Sequence, residues 1–181
     1  MLIRILLTIF LFCFSTKSFA LELVIGQERV EPGVIFIFEG AIKDQIFPEK
    51  LHLSEKNTQV HIEARVNWDE TNIPKGGVSG GFIPYLHITS KVINEKTGLS
   101  TFIDLLPHLN LIDNFHYARN MTLPGKITDT YTVIFTVFPP QKLELSYHMD
   151  WAKQFGKKLL NEQVFTYNNV DFEDIAKASR K

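Results

Sequence analysis

Two short stretches carry most of the chemistry this sequence can do. In "TQVHIEARVNW", His61 and Glu63 stand two residues apart. On an extended strand that spacing sends both side chains to one side, where an imidazole nitrogen and a carboxylate oxygen can reach the same cation. In "LLPHLNLIDNFHYARN", His108 and His116 bracket an apolar segment. The Pro107-His108 step, followed by a loop, can bend the chain back and present both rings. His148, in "KLELSYHMD", falls on the polar side of an alternating row whose apolar members are Leu143, Leu145 and Tyr147. Imidazole suits copper, zinc, iron and nickel. Three or four such rings beside a carboxylate form a metal site that needs no thiol. Taken alone, the His61 and Glu63 pair also fits a solvated strand face, the commoner case. His87 and His52 read as ordinary surface histidines, His52 within a charged connection.

Several chemistries are excluded. The single cysteine, Cys13, lies in the N-terminal apolar run, so a chain processed after that run has neither thiol nor disulfide. Any metal must then be held by His, Glu, Asp or Met. There is no H-E-x-x-H helix and no defensible Ser-His-Asp set. The Gly-rich stretch "DETNIPKGGVSGG" lacks the Lys-Ser/Thr ending of a phosphate-binding loop and opens no helix, so it reads as a flexible connection.

The elements that must position these residues have a period of two. Val60, Ile62, Ala64, Val66 and Trp68 form one face of a strand, with His61, Glu63 and Arg65 on the other. "DTYTVIFTVF", "VIFIFEGAI" and "QVFTYNNV" read as further strands, rich in β-branched and aromatic residues. "FIPYLHITSKVIN" and "TFIDLL" flank "EKTG" as a hairpin with Gly98 in its turn, and Pro84 belongs at a strand start or edge. "KLELSYHMD" alternates as another strand. "DWAKQFGKK" suggests a helical turn closed by Gly156, and "DFEDIAKASRK" a short terminal helix or a frayed end. Many short strands with turn signals between them predict an all-β antiparallel sandwich.

The N-terminus, "MLIRILLTIFLFCFSTKSFA", has a basic Arg4, a short apolar run and Ser18-Phe19-Ala20 before a cut. This is the layout of a secretory signal peptide covering residues 1–20, leaving 21–181 as a single metal-binding β-sandwich domain. Without Arg4 and Lys17, the 19 basic residues fall to 17 against 20 acidic ones, a formal charge of −3. That balance, with no basic block, argues against a nucleic-acid partner. No stable membrane insertion is expected once the signal is removed.

The ordered motifs "VHIEARV", "GGFIPYLHITSKVINEKTG", "LLPHLNLIDNFHYARNM" and "YHMD…FGK" resemble the FetP-type periplasmic iron-transport accessory proteins, over residues 58 to 170. The resemblance implies an immunoglobulin-like β-sandwich that forms a homodimer and accompanies an inner-membrane iron permease. It also implies a copper site of histidines and a methionine, with an acidic residue beside it for a second ion, iron. Carried over by position, the family's H-x-E strand supplies His61 and Glu63. Its His-Tyr segment supplies His116, with Tyr117 following, and its late histidine is His148, with Asp150 following. Two positions depart from the pattern. His108 stands where the family has its methionine, and Ala118 where it has glycine, with a loop one residue longer. An imidazole is a harder ligand than a thioether, so His108 is expected to shift the site toward Cu(II) or another divalent ion; manganese or zinc could load in vitro. Met121 and Met149 are the remaining sulfur sources, neither at the matching position. The function implied is a periplasmic metal-binding protein assisting iron uptake, with a metal redox role left open. The alternatives are a copper or zinc metalloenzyme and a structural Ig-like module without metal.

Overall fold

The computed structural model describes residues 22–179; the expected signal segment, residues 1–20, lies outside the described residues. Eight strands run in chain order: β1 (Glu22–Val30), β2 (Val34–Ala41), β3 (Val60–Trp68), β4 (His87–Asn94), β5 (Ser100–Asn110), β6 (Asn114–Met121), β7 (Thr130–Phe138) and β8 (Gln163–Asp171). Two short helices, α1 (Met149–Phe155) and α2 (Glu173–Lys177), flank β8. All strand pairs are antiparallel, and the spatial order is β1-β2-β3-β6-β5-β4-β7-β8.

The eight strands form one continuous ladder that folds over on itself. The bend lies in β5, whose first half pairs with β4, up to Leu105 opposite Ile88. Its second half pairs with β6, from Leu106 opposite Ala118. Pro107, which has no N–H to give, falls just past this change of partner, where β5 keeps a neighbour on one side only. The two halves of the ladder close over an apolar core. Phe38 of β2 stacks on Phe135 of β7 with ring centroids 4.1 Å apart, a pairing that adds about 0.5–1.5 kcal/mol beyond simple burial. Val60, Ile62, Ala64 and Val66 of β3 face the same interior. At the outer edges β8 returns beside β1, where Tyr167 packs on Gly26 and donates a hydrogen bond to Glu28 at 3.0 Å. A Cβ at position 26 would lie 2.1 Å from that ring. The sheet is therefore nearly a barrel.

Two expectations are corrected. "KLELSYHMD" is not a strand. After Pro139 and Pro140 the chain turns, with the Glu144 carboxylate accepting from the Gln141 N–H at 2.7 Å, and then enters α1 with His148 as its N-cap residue. Alternation alone does not make a strand, and this stretch pairs with no strand among the described residues. The stretch around His108 and His116 is not mainly loop. Both histidines lie on strands, and only Leu111, Ile112 and Asp113 form the turn. The side chain of Asn110 closes that turn by accepting from the Ile112 and Asp113 N–H groups, a local mimic of a backbone turn. The strand β1, over Glu22–Val30, was not anticipated.

Candidate metal centre

The hairpin of β5 and β6 sets His108 directly opposite His116. On β3, His61 lies opposite Asn120 and Glu63 opposite Ala118 of β6. Because side chains alternate along a strand, His61, Glu63, His116, Ala118 and Asn120 share the sheet face turned away from the core. His61, His108 and His116 are brought together there, each offering one nitrogen, with these atoms within 4.8 Å of one another. The His61 and His108 rings lie nearly parallel with centroids 5.4 Å apart, and His116 meets both edge-on. Glu63 is adjacent, its Oε1 3.6 Å from His61 Nε2.

This polar face is buried. His61 is 3% exposed, Glu63 4% and His116 2%. The cover is the connection between β2 and β3, with its two 3-10 turns at Glu49–Leu51 and Glu55–Asn57. It borders a partly open cavity of about 620 Å³ lined by Phe47, Pro48 and His52 on one side and the three clustered histidines on the other. Asn120 ties cover to sheet, since its amide nitrogen donates to the carbonyls of Asp44 and Leu53, each at 2.8 Å.

That double donation fixes proton positions. With its NH2 group committed, Asn120 can offer His61 only its oxygen, 2.7 Å from Nδ1. Nδ1 of His61 therefore carries the proton and Nε2 keeps its lone pair. His116 is arranged in the same way, with Nδ1 donating to the Asn114 carbonyl at 3.2 Å. Tying one ring N–H to an oxygen, so that the lone pair stays on the other nitrogen, is how proteins orient metal-binding imidazoles. His108 Nε2 is buried with no hydrogen-bond partner among the described residues, and a buried polar atom left without a partner calls for an unseen one.

Burial also sets the charge state. Loss of water, then the neighbouring His61, His52 and His116, pushes His108 down to about 3. Burial likewise lowers His116, although the Asn114 carbonyl and Asp113 oppose it. Both rings are neutral at neutral pH, so an arriving cation displaces no proton from them. Glu63 moves the other way. Burial, followed by Asp113, Glu39 and Glu22, raises it to about 8, and it holds a proton until a cation replaces it. Glu39 stands directly opposite Glu63 in the ladder, a like-charge pairing that costs energy unless relieved. Arg65 relieves it with two hydrogen bonds of 2.6 Å to the Glu39 carboxylate.

The donor set fits a first-row cation. Nitrogens bound to one ion at about 2.1 Å lie about 3.4 Å apart in tetrahedral geometry, so the three rings need to close by only a modest side-chain adjustment. A bound ion would supply positive charge, and a redox couple if copper, at a point bordered by the Glu63 carboxyl. The chain itself contributes ring orientation through Asn120 and the Asn114 carbonyl, partial shielding by the cover, and a proton held on Glu63.

The remaining expected ligand is elsewhere. His148 is exposed and lines a separate apolar cavity with Trp68, Tyr85, Tyr147 and Trp151, sharing no residue with the histidine cavity. Met121 is buried in the core and Met149 is exposed on α1, so neither adds sulfur to the three rings. Two residues at the centre were not anticipated. Asn120 was legible, being two and four residues from Ala118 and His116 on one strand face. His52 carries no such signal, because the cover has no period. His87, read as a surface residue, is exposed and pairs with Glu144 at 2.9 Å.

Comparison with known proteins follows the same lines. A copper-bound glutamate-to-glutamine variant of FetP from uropathogenic Escherichia coli strain F11 superposes with a TM-score of 0.67 at 21% identity, covering 82% of this chain and 95% of that one. FetP of the same strain, as isolated after recombinant expression in the periplasm of E. coli BL21(DE3), gives 0.67 at 22% identity, with 82% and 95% covered. A copper-bound methionine-to-isoleucine variant of Campylobacter jejuni P19 gives 0.69 at 23% identity, with 82% and 96% covered. At these identities the likeness is one of fold. Among curated proteins no sequence matches. The sequence model of the Fe2+ transport protein family matches residues 19–174, most of the chain, and the protein belongs to that family.

Proposed function

We propose that this protein is a periplasmic metal-binding component of iron uptake, holding copper on His61, His108 and His116 and iron beside Glu63 for delivery to an inner-membrane permease. The observation that carries the reading is the joint one at the three rings: three imidazoles converge, and two have the far nitrogen tied to an oxygen. With histidine at 108 in place of a thioether, the site favours Cu(II). Iron is cargo here, and the buried carboxyl of Glu63 is its anchor. Family membership and the copper-bound relatives support this assignment.

The functional unit in this reading is a homodimer with an immunoglobulin-like pairing of the two sheet halves. Leu109, Leu111, Ile112 and Phe115 at the tip of the β5–β6 hairpin are exposed apolar side chains next to the site, suited to packing against a second copy. His148 joins the metal ligands only if it comes from that copy.

The test is metal counting on protein starting at Leu21, stripped with chelator and reloaded with Cu(II), Fe(II), Mn(II) or Zn(II). About one tight copper per chain, lost in His61→Ala, supports the reading. Copper at background level in the unaltered protein overturns it.

A further inference from the structure

The cover carries an imidazole that the three-histidine centre does not use. His52 follows the first 3-10 turn, its N–H held by the Glu49 carbonyl at 3.3 Å. Its ring meets His108 edge-on with centroids 5.1 Å apart and lines the same cavity. Its Nδ1 is buried with no hydrogen-bond partner among the described residues, the same condition as Nε2 of His108. Two neighbouring rings thus each present a dry, unpartnered nitrogen in one cavity. Leaving either unmade has a cost that a shared ligand removes. No acidic side chain is paired with either ring among the described hydrogen bonds and ion pairs, whereas His87 has Glu144.

We propose that His52 is a fourth nitrogen ligand, supplied by the same chain and swung in from the cover to complete an all-imidazole copper site with His61, His108 and His116. This rests on the copper reading above. His52 stands outside the group whose nitrogens lie within 4.8 Å, so binding requires rotation of its side chain toward His108. The cover is the element that can allow it, being joined to the sheet at Asp44 and Leu53 through Asn120 while the His52 ring has no polar tether of its own. Metal loading then fastens the cover over the centre. His108 and His52 act together: where a soft sulfur would suit Cu(I), four imidazoles suit Cu(II).

The experiment uses protein from Leu21 onward loaded with one equivalent of Cu(II), compared with His52→Ala, His52→Gln and His148→Ala. The readouts are electron paramagnetic resonance, for the number of coupled imidazole nitrogens, and competition against a chromophoric chelator. We expect four coupled imidazoles in the unaltered protein and three in both His52 variants, with affinity reduced roughly ten- to a hundredfold. His148→Ala is expected to keep both values, and loss of one coupled imidazole there but not in the His52 variants assigns the fourth ligand to a second copy and overturns the inference. In zinc-loaded, 15N-histidine-labelled protein the His52 ring should show a metal-bound nitrogen, a readout that needs no variant to fold. An unchanged copper spectrum in both His52 variants, or a metal-free His52 ring in the zinc form, overturns the inference while leaving the copper site standing. Absence of copper binding in the unaltered protein overturns the underlying reading instead.

Discussion

Asn120 accepts the Nδ1–H of His61 at 2.7 Å while its own amide holds the carbonyls of Asp44 and Leu53. One side chain therefore sets the tautomer of a metal-facing imidazole and pins the segment that covers it. Asn120→Ala should reduce copper affinity about 10–100-fold, the usual effect of losing such an orienting partner. Asn120→Asp keeps an acceptor for His61 but loses both donors to the cover. It should hold copper better than the alanine variant yet expose Lys50 and Lys56 to trypsin sooner. Equal copper affinity in all three proteins would remove Asn120 from this role.

The depressed histidines make the metal-free protein acid-sensitive. His108 is pushed down to about 3 by burial and its histidine neighbours, and burial also lowers His116 and His52. In the unfolded chain these rings protonate near pH 6.5. Below that pH the unfolded state binds more protons, so stability is complete above about 6.5 and declines as pH falls toward 3. Urea unfolding of chelator-stripped protein should show a lower midpoint at pH 5.5 than at pH 7.5. His108→Leu should narrow the gap, and a gap that persists undiminished would assign the effect to other groups.

Glu63 has the opposite sign. It is raised to about 8 by burial and then by Asp113, Glu39 and Glu22, whereas an unfolded glutamate titrates near 4.3. The metal-free fold therefore loses stability as pH rises between those values, and a cation at Glu63 must expel a proton. Fe(II) binding should tighten from pH 6 to pH 8 with release of about one proton per ion. Glu63→Gln should abolish this pH dependence and leave one copper per chain. Calorimetry in buffers of different ionisation heat measures the proton count directly.

Tyr117 separates the fold from the site. It follows His116 but points into the core, where its hydroxyl donates to the Ile83 carbonyl at 2.8 Å and accepts from the Leu86 N–H at 3.1 Å. Tyr117→Phe leaves those backbone groups without their partner and should destabilise the protein by about 1–3 kcal/mol. Thermal unfolding would show the loss, while copper stoichiometry should stay unchanged.

The apolar hairpin tip gives a test of assembly. Leu111 is fully exposed and Ile112 largely so, beside a centre that is otherwise covered. If the proposed homodimer packs through this tip, Leu111→Lys with Ile112→Lys should shift sedimentation from dimer to monomer. A dimer unaffected by both changes would place the interface elsewhere.

The alternation of β3 and the patterns of β2, β4, β7 and β8 were legible in the sequence because each strand has one row facing the core, where apolar residues at every second position are required. The pairing of His61 with Glu63 on one face follows from the same period. That His108 and His116 would approach each other was also readable, although the tight turn at Leu111–Asp113 that makes them cross-strand partners was not. Tertiary structure decided the rest. The segment "KLELSYHMD" has a strand's alternation but follows two prolines and pairs with no strand among the described residues, and His148 stands at the start of α1, away from the other rings. The polar face of β3 became a dry site because an aperiodic connection folds across it. No local pattern in that connection announces His52, whose place beside His108 depends on contacts with Asn120, far away along the chain. A strand's period is a property of neighbouring residues, whereas the cover is held by partners that only the closed fold brings within reach.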